Sequence, residues 1–173
     1  MPASRSQPRS LKARALQWLA QREQSRVELH RKLLRQASAD LAEVQSEEGV
    51  AEQVDAVLDW LETNGYLSAE RFVESRVHAR AARYGNLRIR QELQQHQLKL
   101  SGELAQTLVT SETDRARAVR ERRFVEFPRD ATERARQARF LIGRGFSPDA
   151  VRAALRSENA GEGDSPRIAD GGD

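Results

Sequence analysis

The chain has 173 residues, of which 38% are apolar and 32% charged, and it contains no cysteine. Average soluble domains carry about 45–50% apolar and 25% charged residues, so small surface-rich units with thin cores are expected here, and disulfides and thiolate metal sites are excluded. The formal charge is only +3 because acid collects after Ser157; no run approaches the ~18 apolar residues of a membrane span, and MPASRSQPRS lacks the apolar core of a secretory leader, so the expected location is cytoplasmic.

Residues 1–9, rich in Ser, Pro and Arg, are expected to form a disordered basic tail. The first helix is predicted over Leu11–Glu23, with Leu16, Trp18 and Leu19 apolar. Ser25 and Glu28 have the spacing of a capping box at the start of a second helix through Leu29 and Leu33. An acidic connection, 37–49, follows, with Glu47 and Glu48 read as a solvated loop. Val54, Val57, Leu58 and Leu61 then fall on one face of a third helix, which Asn64-Gly65 stops. Ser68 is a good N-cap for a fourth helix, Ala69 to about Arg83, with Leu67 and Phe72 at the positions of a hydrophobic staple.

Tyr84-Gly85-Asn86 separates this helix from a fifth, whose apolar positions are Leu87, Ile89 and Leu93. Ser101 is the expected cap of a sixth, with Leu104 and Leu108 on one face. The seventh, Asp114–Phe124, is strongly basic, and the eighth spans Ala131–Ile142 before Gly143-Arg144-Gly145. Phe146-Ser147-Pro148 opens the ninth, with Ser147 as N-cap, Pro148 at N1 and a second staple between Phe146 and Val151.

Nine predicted helices form three triplets. Leu33, Leu93 and Leu141 occupy comparable places in the middle helices, and the third helices share the i, i+4 pairs Val54/Leu58, Leu104/Leu108 and Val151/Leu155. A short triplet buries little alone, so stacking of repeats is expected to supply stability. The expected boundaries are 10–65, 66–112 and 113–157, with 158–173 as a disordered acidic tail. The fold class is therefore all-α, three tandem three-helix repeats.

Chemistry of the catalytic kind is not visible. The chain has no GxxxxGK[ST] and no HExxH, and His30, His78 and His96 fall in different helices, so no enzyme, metal or cofactor is expected. The basic body is dominated by arginine, which pairs bidentately with carboxylates and phosphates. An acidic partner, protein or nucleic acid, is the expectation.

Three segments resemble the RecX family, the regulatory proteins of bacterial RecA recombinase. They are ALQWLAQREQSRVELHRKLL, VDAVLDWLETNGYLSAERFVESRVHARAARYGNLRIRQEL and RARQARFLIGRGFSPDAVRAAL. The family's best-preserved segment maps onto Gly65, Tyr66, Leu67, Glu70, Arg71 and Phe72, and a looser pattern onto Arg80, Gly85, Ile89, Glu92 and Leu93. Ser68-Ala69 stands where the family often has an acidic cap, and the 37–49 connection is longer than usual. The resemblance implies an elongated, curved molecule lying in the groove of the RecA–DNA filament. It also implies modulation, mostly inhibition, of ATPase and strand exchange in DNA repair, recombination and the SOS response, without catalysis.

Candidate partner-binding residues are Arg71, Arg76, Arg80, Arg83, Arg88 and Arg90, then Arg115, Arg117, Arg120, Arg122 and Arg123. Structural positions are Gly65, Tyr66, Leu67, Ser68, Phe72, Gly85, Leu93, Gly145 and Phe146, with Tyr66 read as core more than contact and Arg71 given a structural option beside it. The expected partners are the RecA filament and, weakly and non-specifically, DNA; the chain is expected to be a monomer with no membrane partner. A helix-turn-helix DNA-binding regulator is the alternative, and a helical scaffold a third.

Overall fold

Serines and glycines set most of the helix ends. In a computed structural model, which describes residues 10–40 and 47–156, these ends delimit α1 (Leu11–Gln21), α2 (Arg26–Asp40), α3 (Glu47–Thr63), α4 (Ala69–Ala81), α5 (Asn86–Gln95), α6 (Gly102–Thr110), α7 (Glu112–Arg123), α8 (Ala131–Gly143) and α9 (Pro148–Ala154). No strand occurs among the described residues. The expected tails, 1–9 and 158–173, and the middle of the acidic connection lie outside them.

Of the serines expected to cap helices, Ser25, Ser68 and Ser147 behave as their spacing predicts, whereas Ser101 makes no side-chain cap bond at the start of α6. Ser10, Ser25, Ser68 and Ser147 each accept the backbone N–H three residues on, from Ala13, Glu28, Arg71 and Ala150. Asp130 does the same for Glu133, at 2.8 Å. The reciprocal half of the box at Ser25 is replaced, because the Glu28 carboxylate is held by the Arg22 guanidinium at 3.1 Å. Gly65 and Gly145 adopt φ of 73° and 83°, the left-handed region that ends α3 and α8.

Two expectations about the chain path change. α2 runs on to Asp40 and α3 begins at Glu47, with Ala37 and Val50 buried, so most of the acidic connection is helix. Glu47 and Glu48 belong to the first turn of α3, not to a loop. Leu87, assigned to an apolar face, is 48% exposed; its backbone N–H, not its side chain, is what the fold uses, donating to Gly145 O.

The helices divide into two compact units. The first holds residues through Arg80 together with Arg90–Leu104; the second holds Ala81–Ile89 and the chain from Ala105. In the first, Ala15, Leu29, Leu33, Val54, Leu58, Leu61 and Leu67 form one core, ringed by half-buried Trp18 and Trp60. In the second, Ala116, Val119 and Leu141 pack with Phe146, Ala150, Val151, Ala154 and Leu155, so both members of the staple at α9 share that core. Phe72, Ile89 and Leu93 are fully buried, as their periodicity predicts.

Candidate partner-binding surface

The nominated arginines separate into those the fold consumes and those it displays. In the first unit, Arg71 Nε donates to Glu23 Oε1 at 2.8 Å, and its Nη2 donates to the carbonyls of Gly65 and Tyr66 at 3.0 and 3.1 Å. It therefore clasps the turn after α3, the structural role open to it in the sequence. Arg76 and Arg80 converge on one carboxylate: Glu92 lies 3.3 Å from Arg76 Nη1 and 3.0 Å from Arg80 Nη2. Arg76 also lies 5.0 Å over the Phe72 ring. Arg90 is exposed.

Behind these arginines sits a polar joint that the sequence did not reveal. The imidazole Nδ1 of His96 lies 2.8 Å from the hydroxyl of Ser25, and its ring meets Phe72 edge-on at 4.9 Å. Burial pushes the His96 pKa down, against the pull of Glu28, while Arg76 reinforces the drop. The same Ser25 oxygen caps Glu28 N–H, so ring and cap share one hydroxyl. Burial alone would raise the Glu28 pKa, but the Arg22 guanidinium beside it holds it below the usual value.

Tyr66 is not core. It is 48% exposed and lies flat on Trp60, ring centres 5.4 Å apart, so its contact is stacking on the rim. The Lys12 ammonium covers the same Trp60 ring at 3.1 Å. Gly65, Leu67, Ser68 and Phe72 take the turn, core and cap positions expected of them.

In the second unit Arg115 is a bracket. Its guanidinium donates to the carbonyls of Ala81, Tyr84 and Leu108 at 3.2, 2.9 and 2.9 Å, and to Asn86 Oδ1 at 2.5 Å. Burial lowers its pKa, opposed by Glu112. Buried Glu112 accepts the Asn86 N–H at 2.8 Å, fixing the start of α5 from the opposite side. Arg120 was nominated for a solvated contact face, and that placement is wrong: it is 2% exposed, its guanidinium 3.7 Å over Phe127 and 3.2 Å from Glu121. A basic helix still needs one inward face, and Arg120 falls on it with Ala116 and Val119.

Two glycines make this packing possible. A Cβ on Gly85 would stand 2.2 Å from Gly145 O and Phe146 N, and one on Gly145 would stand 2.6 Å from Arg88 Cβ. The backbones meet there, with Gly85 N–H donating to Arg144 O at 3.0 Å.

What remains displayed is a basic cleft of about 340 Å³ between α7, α8 and the turn after α4. Arg83, Arg122, Arg123 and Arg144 line it, over an apolar floor that includes Val119 and Phe140. Arg122 Nη2 donates to Ala82 O at 2.5 Å, and Arg144 lies 5.0 Å over Phe140 and 5.7 Å from Tyr84. Arg88 lies 5.8 Å from the same Tyr84 ring, and Arg117 pairs with Asp114 at 3.3 Å. Arg144 was missed as a candidate because the sequence presents it as part of a helix stop. Among the described residues no group of His, Asp or Glu is arranged to hold a metal, and no helix is long and apolar enough to cross a membrane.

Comparison with known proteins bears on the whole assembly. Residues 70–101 match the family model for the second three-helix domain of RecX, and 110–155 match that for its third three-helix domain. Regulatory protein RecX of Ralstonia pickettii is 50% identical over 87% of this chain and 89% of its own. The RecX of Ralstonia nicotianae is 46% identical over 92% and 96%, and that of Pseudomonas entomophila 38% over 87% and 93%. A crystal structure of RecX from Lactobacillus salivarius shares the fold, with a TM-score of 0.60 at 16% identity over 84% of this chain and 92% of that one. With relatives this similar across nearly their full length, and a helical repeat fold to match, the chain belongs to the RecX family of regulatory proteins.

Proposed function

We propose that this protein regulates RecA recombinase by binding in the groove of the RecA–DNA filament, where it inhibits ATPase and strand exchange. The observation that carries the reading is near-end-to-end similarity to proteins named regulatory protein RecX. The displayed arginines supply the chemistry: Arg83, Arg88, Arg90, Arg122 and Arg123 are exposed and suit acidic protein surface or DNA phosphate. Arg71, Arg76, Arg80 and Arg115 hold the units in shape and act on a partner only through that shape. No catalytic step belongs to the protein itself. DNA alone is bound weakly and without sequence preference, and the working species is a monomer in the cytoplasm.

A titration of RecA ATPase and strand exchange on single-stranded DNA tests this. Both activities are expected to fall as the protein is added; unchanged rates at saturating protein would refute it. A sequence-specific shift of duplex DNA in the absence of RecA would favour a helix-turn-helix regulator instead.

A further inference from the structure

Four guanidiniums converge on the cleft of the second unit, from Arg83, Arg122, Arg123 and Arg144. Among the described residues no carboxylate pairs with any of the four. Like charges gathered around an apolar floor repel one another unless an anion joins them. The floor also restricts the kind of anion. Val119 is aliphatic, and the rings nearest the cleft have their faces engaged: Arg144 lies over both Phe140 and Tyr84, and Phe124 meets Phe140 at 5.3 Å. Arg144 takes one face of each ring, which narrows the room for a stacked nucleobase, and a branched aliphatic side chain with carboxylates close by in the chain fits floor and rim together.

The chain carries such a segment beyond Arg156. Residues 157–173 read SENAGEGDSPRIADGGD: Ile168 is the one large aliphatic side chain, Arg167 precedes it, and five acids, Glu158, Glu162, Asp164, Asp170 and Asp173, outnumber that single cation. The distance is no obstacle. About 12 residues separate Arg156 from Ile168, a reach of up to ~40 Å, against a diameter of about 30 Å for a unit of this size.

We propose that the acidic C-terminal segment is an intramolecular ligand of this cleft, with Ile168 on Val119 and Phe140 and the Asp170 and Asp173 carboxylates on the arginine rim. In this arrangement the protein covers its own basic surface until a stronger anion displaces the segment. The inference needs only the geometry of the second unit, so its failure leaves the RecA reading standing.

The absence of native cysteine makes the test direct. Full-length Gly171→Cys carrying a nitroxide is compared with its reduced form by amide spectra. Selective loss of signal at Val119, Phe140 and Arg144, recovered in the same chain bearing Ile168→Ser with Asp170→Asn, is the expected result. No loss at these amides, loss spread evenly over the unit, or loss that persists with both substitutions overturns the proposal. Mixing spin-labelled chain with unlabelled, isotope-enriched chain separates occupants: loss appearing there means the cleft takes the segment of a second copy, which also overturns it. A cleft whose amides ignore the tail substitutions but shift with a single-stranded oligonucleotide would belong to nucleic acid, and that result too sinks the idea.

Discussion

Arg115 and Arg117 sit two residues apart on one helix and have opposite fates. Arg115 is half-buried and donates to three carbonyls and an amide oxygen, whereas Arg117 pairs at the surface with Asp114. Replacing Arg115 with alanine strands those acceptors and is expected to cost about 3 kcal/mol in urea unfolding, while Arg117→Ala costs roughly 0.5 kcal/mol or less. Arg115→Lys restores little, since one ammonium cannot span the same fork of acceptors. The two could not be told apart in sequence: both read as cations on a basic helix, and three of the acceptors of Arg115, at Ala81, Tyr84 and Asn86, lie 29 to 34 residues upstream. His96 supplies a pH dependence. Its pKa is lowered in the fold, so the folded state binds fewer protons there than the unfolded chain. The stability it contributes is complete above its unfolded pKa, about 6.5, and is lost as pH falls from there through the folded value. The groups that face it are Ser25, Glu28, Arg76, Glu92 and Arg31. Chemical denaturation between pH 7 and 5 is expected to show this loss in the wild type and to flatten in His96→Gln; equal slopes would show the ring is not responsible.

At the level of elements, glycine positions discriminate between a turn and a packing contact. Gly65 ends α3 with φ of 73° and open space around it, so Gly65→Ala is expected to cost about 1 kcal/mol through backbone strain alone. Gly85 has no such φ, yet an alanine there collides with the backbone at Gly145 and Phe146. Gly85→Ala is therefore expected to cost upwards of ~3 kcal/mol, measured by thermal or urea unfolding of the two variants side by side. The sequence located both glycines as helix breaks, because loss of helix propensity is local information. It could not say that Gly85 and Gly145, sixty residues apart, fit against each other. The same limit explains the helix boundaries. Serine caps and apolar periodicity placed α3, α4 and α9 within a few residues, since each signal lies inside the element it marks. The acidic stretch misled, because Glu47 and Glu48 look like loop until their place in the first turn of α3 is known.

For the whole molecule, the displayed arginines set the ionic-strength response. Each phosphate neutralised contributes a slope of roughly 0.7–0.9 to the logarithmic dependence of DNA affinity on salt. Charge reversal at Arg83, Arg88 and Arg123 together is expected to lower that slope by about 2–3 and to weaken inhibition of RecA ATPase roughly tenfold. A parallel charge reversal at Asp114 gives the background, and an equal effect there would show that net charge alone matters. Family membership was legible in the sequence; the cleft was not, because Arg83, Arg122, Arg123 and Arg144 meet only after three separate segments fold. A further consequence follows from where the aromatic residues fell. The two tryptophans of the chain, Trp18 and Trp60, both belong to the core rim of the first unit, each with a lysine ammonium over its ring. Intrinsic tryptophan emission is thus a natural lamp in one half of the protein, and the other half is optically dark. Emission and far-ultraviolet circular dichroism recorded on the same sample would then keep separate clocks: where they coincide the chain melts as one body, and where dichroism leads, the unit built around Gly85 and Gly145 has gone first.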